Sequence, residues 1–221
     1  MRALSIDVVS DVVCPWCLIG IRRLEQALEA FPEVDATITF VPFLLDPETP
    51  EEGTDLRERL QKKYGIPAEQ MFGRVESAAR ESGIPLDFEK IRRSVSTKRA
   101  HTLLRHAKAK GTQHALKHAL LDAYFLDGRD VGNVDVLAEI AGAHGFEAAE
   151  VRSLLRDEAE LRLTRDEAER VAAQGISGVP FFVFGGRLAL SGAQPVEVMK
   201  KAIARALEEP AASAAPRSSA G

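Results

Sequence analysis

The 221-residue chain is 45% apolar and sets 29 Lys plus Arg against 33 Asp plus Glu, a formal net charge of -4. That is enough apolar material for one large domain or two small ones, and the small, mixed charge excludes a nucleic-acid or acidic-membrane footprint. No apolar run approaches the roughly 20 residues needed to cross a bilayer, and Met1 to Asp7 lacks the apolar core of a secretory signal, so the expected location is the cytoplasm.

Residues 4 to 9, "LSIDVV", alternate and are rich in β-branched side chains, which predicts a strand. It runs into the only two cysteines, Cys14 and Cys17, separated by Pro15 and Trp16. From Pro15, Leu18, Ile21, Leu24, Ala27 and Leu28 recur at helical spacing as far as Phe31-Pro32. Residues 36 to 45, "ATITFVPFLL", predict a second strand, and two strands joined by a helix form a right-handed parallel βαβ unit.

Between residues 54 and 173 the periodicity is helical, predicting segments at 54 to 63, 67 to 82, 97 to 110, 113 to 126, 134 to 144, 147 to 155 and 157 to 173, with no strands and no fixed-period repeat. Strand chemistry returns in "PFFVFGGRLALSG", where Gly185-Gly186 supplies the positive φ angles of a tight hairpin. A last helix is predicted from Pro195 to about Leu207, and the small, polar, Pro-containing residues 209 to 221 read as a disordered tail. The order is βαβ, helices, ββα. That is the element order of an α/β thioredoxin fold, which predicts a mixed four-stranded sheet with a large all-helical insertion: residues 1 to 53 and 174 to 208 are expected to form the sheet domain, and 54 to 173 the insertion.

A thiol at the first turn of a helix faces unpaired backbone N–H groups and the positive end of the helix dipole, both of which favour the thiolate. Cys14 takes that position. Cys17, one turn on, is placed to close a disulfide with it. Pro15 presets the helix start and Trp16 offers an aromatic surface beside the sulfur. Two other readings stand beside a redox pair. One is a pair of ordinary buried cysteines. The other is a zinc half-site completed by His101, His106, His114 or His118, whose spacing is ligand-like on a helix. Those imidazoles lie more than eighty residues away and no second cysteine pair exists, so no metal is expected and the histidines read as helix-face residues. Pro180, at the start of an apolar strand after Gly178-Val179, needs an edge, a first position or a bend.

With "CPWC" at the first helix and "GISGVPFFVF" before the hairpin, the chain resembles the DsbA-like thioredoxin-fold oxidoreductases, and most of all their cytosolic FrnE-like subgroup. "DVVCPWCLIG", "RAHTLLRHAKAKG", "LLDAYFLDGRDVGNVDVLAEIA" and "GVPFFVFGGRLALSGAQP" carry the resemblance over nearly the whole chain except the tail. It implies that Cys14 attacks, Cys17 resolves, and Pro180 is a cis-proline packed beside them. Val179, next to Gly178, would offer its backbone N–H and C=O to an extended substrate, with Trp16 as a further contact. The insertion would form one wall of the groove. Asp11 matches an acidic position of the subgroup that relays protons or satisfies local N–H groups, and His101 matches a residue of the groove wall. Ser96 stands where the motif has asparagine.

The resemblance makes the chain a thiol-disulfide oxidoreductase, a reductase, isomerase or oxidase of protein or small-molecule disulfides, with reduction or isomerisation favoured over net oxidation in a reducing cytosol. It needs no cofactor beyond its dithiol, with glutathione or a thioredoxin-type protein as reductant, and is a monomer or homodimer. Two alternatives remain open. Glutathione-dependent isomerases and transferases of the 2-hydroxychromene-2-carboxylate and kappa-class types share the fold, although they place serine where this chain has Cys14. A peptide-binding adaptor or chaperone is the other.

Overall fold

The computed structural model describes residues 1–208; the predicted tail lies outside the described residues. Its central sheet holds β1 (Arg2–Ser10), β2 (Val34–Pro42), β5 (Phe181–Phe184) and β6 (Leu188–Ser191) in the order β2-β1-β5-β6. β1 runs parallel to β2 and antiparallel to β5, and β5 antiparallel to β6. Helix α1 (Pro15–Leu28) is the crossover between β1 and β2, and α9 (Val196–Glu208) packs beside it.

The alternation of β1 sorts the core. Leu4, Ile6 and Val8 share a face with Phe40, Phe182 and Phe184, and with the apolar stripes of α1 and α9, including Leu24, Met199 and Ile203. Val9 points to the opposite face, where Phe43 and Val171 bury it and Val41, Val179 and Phe181 surround it. A β-strand inverts its side chains at each residue, so one strand serves both layers. The hairpin turns through Gly185 (φ 57°) and Gly186 (φ 69°), both in the left-handed region, in a three-residue connection ending at Arg187.

Between the two halves of the sheet lie α2 (Leu56–Tyr64), α3 (Ala68–Glu81), α4 (Lys98–Ala109), α5 (Gln113–Phe125), α6 (Val134–Gly142), α7 (Ala148–Leu154) and α8 (Glu158–Ala172). The seven predicted segments correspond to these with ends that coincide or shift by one or two residues. One expectation is corrected: the stretch is not free of strands. β3 (Thr54–Asp55) and β4 (Arg93–Ser94) pair antiparallel. Two residues per strand cannot show an alternation, which is why no period marked them. The second strand also ends at Pro42 rather than residue 45, and the last helix starts one residue after Pro195.

The insertion grips the sheet at its β2 edge. An edge strand carries unpaired backbone groups, and Gln113 at the start of α5 pairs them: its Nε2 donates to the Phe40 carbonyl at 2.9 Å and its Oε1 accepts from the Phe40 N–H at 3.0 Å. Among the described residues no helix is long and apolar enough to cross a membrane.

Candidate active site

β1 ends at Ser10, and Asp11, Val12 and Val13 turn the chain into α1. Cys14 is the N-cap, in extended conformation (φ -92°, ψ 112°), with no side-chain cap bond and with Pro15 in the first turn. Its carbonyl accepts from the N–H groups of Cys17 (3.0 Å) and Leu18 (3.2 Å). Both cysteines are free thiols and buried, Cys14 at the foot of a groove and Cys17 completely. Burial and the adjoining Cys14 sulfur push the Cys17 thiol well above its ordinary range, so it is protonated at neutral pH.

The β1–β5 register brings the second half of the site in. Val9 pairs with Phe181 and Val8 with Phe182, so the same register sets Pro180 level with Ser10 and Val179 level with Asp11. The Val179-Pro180 bond is cis. The Cys14 thiol donates to the Val179 carbonyl at 3.6 Å, within reach for a sulfur donor. The Pro180 carbonyl is taken by the Gly192 N–H at 2.8 Å. Gly20, on the first turns of α1, makes the fit: a Cβ there would lie 2.8 Å from Pro180 Cγ and 3.2 Å from Phe182 Cζ.

Cys14, Trp16, Gly178 and Val179 open into a groove of about 580 Å3 whose far wall comes from α2 and α3, with Leu60, Phe72 and Val75 among its apolar residues. Lys63 and Arg74 add positive charge to that wall, where Arg59 is ion-paired with Asp46, and the Arg74 guanidinium lies 6.0 Å from the Trp16 ring centroid.

Beneath the cysteines three ionisable side chains are buried together: Asp11, His101 and Lys117. Asp11 Oδ2 accepts from the Leu45 N–H at 2.9 Å, and Oδ1 faces His101 Nε2 at 3.1 Å. Burial alone would raise the carboxyl, but these bonds, with charge from His101 and Lys117, outweigh it and hold it below the usual carboxylate range. Burial lowers His101 against the hydrogen bond and charge of Asp11, which pull the other way. Lys117 is completely buried, and among the described residues its Nζ finds no hydrogen-bond partner. The ammonium lies 5.5 Å from the Phe40 ring centroid. Burial lowers its pKa, opposed by the charges of Cys17, Asp11 and Cys14.

A dithiol at a helix start, a cis-proline beside it and a sheet ordered β2-β1-β5-β6 now meet a family comparison: the model of the DSBA-like thioredoxin domain matches residues 5–204. The chain belongs to that family. A probable DsbA oxidoreductase from Streptomyces coelicolor is 34% identical and superposes with a TM-score of 0.85, over 93% of this chain and 91% of that one. The Bacillus subtilis protein YwbO is 25% identical over 90% of this chain and 94% of its own length. The cytosolic disulfide reductase DsbM of Pseudomonas aeruginosa, in its structure with GSH, shares the fold at 16% identity, with a TM-score of 0.61 over 93% of this chain and all of that one.

In this DSBA-like chain, the structure gathers Asp11, Cys14, Pro15, Trp16, Cys17, Gly178, Val179 and Pro180 in one place. His101 is the correction. It is 3% exposed and lies behind the groove, bonded to Asp11, rather than on its wall. Ser96 contributes its carbonyl to the tight packing around Gly132, where a Cβ would meet it at 2.9 Å. Sequence reasoning missed Lys117 and Gly20. Lys117 carried a readable signal: Gln113, Leu116, Lys117, Leu120, Leu121 and Tyr124 follow the 3-4 spacing of a single buried stripe, and two polar members of such a stripe mark buried polar groups. Gly20 carried none, because its role depends on a proline 160 residues away.

Proposed function

We propose that the protein is a thiol-disulfide oxidoreductase of the FrnE-like subgroup, working in the cytosol as a reductase or isomerase of protein or small-molecule disulfides. Cys14 is the attacking and Cys17 the resolving cysteine. The observation that carries this reading is the Cys14 sulfur at the foot of an apolar groove, within 3.6 Å of the Val179 carbonyl. The three-part division of the chain at residues 53 and 173 belongs to the same reading.

In the reaction the Cys14 thiolate attacks one substrate sulfur. The substrate S–S bond breaks, a mixed disulfide forms, and the first substrate thiolate leaves. Cys17 gives its proton to that departing thiolate and attacks the Cys14 sulfur, which expels the second substrate sulfur as a thiolate that takes its proton from solvent. Two electrons have then passed to the substrate, and the Cys14–Cys17 disulfide remains for two thiol equivalents from glutathione or a thioredoxin-type protein to reduce. A buried Cys17 thiolate is costly, and the Lys117 ammonium offsets that charge, while ionised Asp11, oriented by His101, balances Lys117 when the thiols are protonated. Val179 and Gly178 hold an extended substrate through backbone contacts, and Trp16 supplies an apolar face.

Glutathione suits the groove as co-substrate, since Lys63 and Arg74 offer two cations to its two carboxylates while Arg59 is held by Asp46, and DsbM shares this fold. The test is insulin-disulfide reduction by wild type, Cys14→Ser and Cys17→Ser, with the reduction potential measured in parallel. Cys14→Ser should lose nearly all activity and Cys17→Ser should accumulate mixed disulfides. Saturable glutathione binding with full activity after Cys17→Ser would replace this reading by the glutathione-dependent isomerase or transferase. Peptide binding that survives loss of both cysteines, without disulfide chemistry, would make the chain an adaptor.

A further inference from the structure

A second cluster of chemistry-bearing side chains lies away from the thiols. Glu25 follows Cys17 by eight residues on α1, about 12 Å down the helix. His114 and His118 sit one turn apart on α5, a spacing that puts both imidazoles on one face. Both turn Nε2 toward the same carboxylate oxygen: Glu25 Oε1 is 2.6 Å from His118 and 3.1 Å from His114. Among the described residues this is the one group of three or more His, Cys, Asp or Glu side chains with donor atoms this close, all within 4.8 Å.

We propose that Glu25, His114 and His118 bind a divalent transition-metal ion, Zn2+ in the first place, which clamps the redox helix α1 to α5 of the insertion. The donor set decides the class of ion. Two imidazoles and one carboxylate suit Zn2+ and its N/O-binding neighbours, whereas Mg2+ and Ca2+ take oxygen shells. Bonds of about 2.0 to 2.2 Å place tetrahedral ligand atoms roughly 3.3 Å apart. The two Glu25 contacts therefore open by less than about 1 Å to admit the ion, a shift that χ rotation of a partly exposed glutamate provides. The His114 ring is held against Phe40 at 5.7 Å between centroids, which orients one ligand in advance. Side-chain exposures of 25% for Glu25 and His118 and 48% for His114 leave an entry path and room for water at the remaining coordination position. Glu25, held down at about 2 chiefly by hydrogen bonds and charge from the two histidines against the opposing effect of burial, is ionised and ready to ligate.

This site is independent of the thiol chemistry, and so is its test. Zn2+ is titrated calorimetrically into the full chain carrying Cys14→Ser and Cys17→Ser, which removes the competing thiolates, and thermal unfolding is followed with and without the ion. One ion should bind per chain and raise Tm. Glu25→Gln, His118→Ala and His114→Gln, the last at a half-exposed position that leaves the packing intact, should each weaken binding by on the order of 100-fold, since even outer-shell losses cost 10- to 100-fold. Co2+ bound to the chain with both cysteines present should give ligand-field bands without thiolate charge transfer. With chelator present, the single variants should unfold as cooperatively as their parent. The proposal is overturned if no stoichiometric binding occurs, if binding survives in the Glu25→Gln, His118→Ala double variant, or if Co2+ reports thiolate ligation. The cluster is then an ion-paired hydrogen-bond group only.

Discussion

Gly20→Ala sets two physical effects against each other inside α1. Alanine is about 0.8 to 1.0 kcal/mol more favourable than glycine in a helix interior, so helix propensity alone predicts a stabler protein. Contact predicts the opposite. The new Cβ would stand 2.8 Å from Pro180 Cγ, about 0.6 Å closer than the near edge of ordinary van der Waals contact, with Phe182 Cζ at 3.2 Å and the Ala193 backbone at 3.4 Å behind it. Overpacking of this kind costs about 1 to 3 kcal/mol, leaving a net loss of up to about 2 kcal/mol. The larger consequence is functional. Pro180 follows Val179, whose carbonyl holds the Cys14 thiol, and misplacement by 1 Å costs on the order of 100-fold in rate, so a shift near 0.6 Å should lower kcat/KM for a disulfide substrate roughly 10-fold. Urea unfolding and insulin reduction on the same preparations read both effects. A variant stabler than wild type by about 1 kcal/mol with unchanged kcat/KM would refute the claim that Gly20 makes room for Pro180.

Lys117→Met removes a buried ammonium that finds no hydrogen-bond partner among the described residues; stability at pH 7 should be unchanged or about 1 kcal/mol higher, while Cys17-dependent release slows and mixed disulfide builds up in stopped-flow quenching. Because burial depresses the folded-state pKa of Lys117, the unfolded chain holds the extra proton below pH 10.5, so the stability of wild type relative to Lys117→Met should rise as pH rises toward that value. Gln113→Leu strands the Phe40 N–H and C=O at the β2 edge and should cost about 2 to 4 kcal/mol in urea unfolding. Glu25 is depressed to about 2, so in chelated buffer its contribution is complete above the unfolded value of 4.5 and is lost as pH falls toward 2. Solvent screening of a partly exposed group reduces that contribution to about 1 to 2 kcal/mol, and the deficit of Glu25→Gln at pH 7 should shrink over the same interval.

Local periodicity and turn chemistry determined most elements without help from the rest of the molecule. Alternation in "LSIDVV", the helix start at Pro15, the seven helical segments and the Gly185-Gly186 turn are set by neighbours a few residues apart, and the structure reproduces them. The chemistry of Cys14 and Cys17 was legible for the same reason, as a dithiol at a helix start. Only the tertiary structure decided what stands around it. The antiparallel register of β5 on β1 carries Val179 to Cys14, and the docking of α4 and α5 against β2 turns His101 away from the groove and buries Lys117 under the thiols. Helix faces decided the Glu25, His114 and His118 cluster in the same way, since an i,i+4 pair offers two ligands and a third must come from another element. Such partners are joined by the free energy of closing the whole core, in which no short stretch of chain holds both halves of the contact.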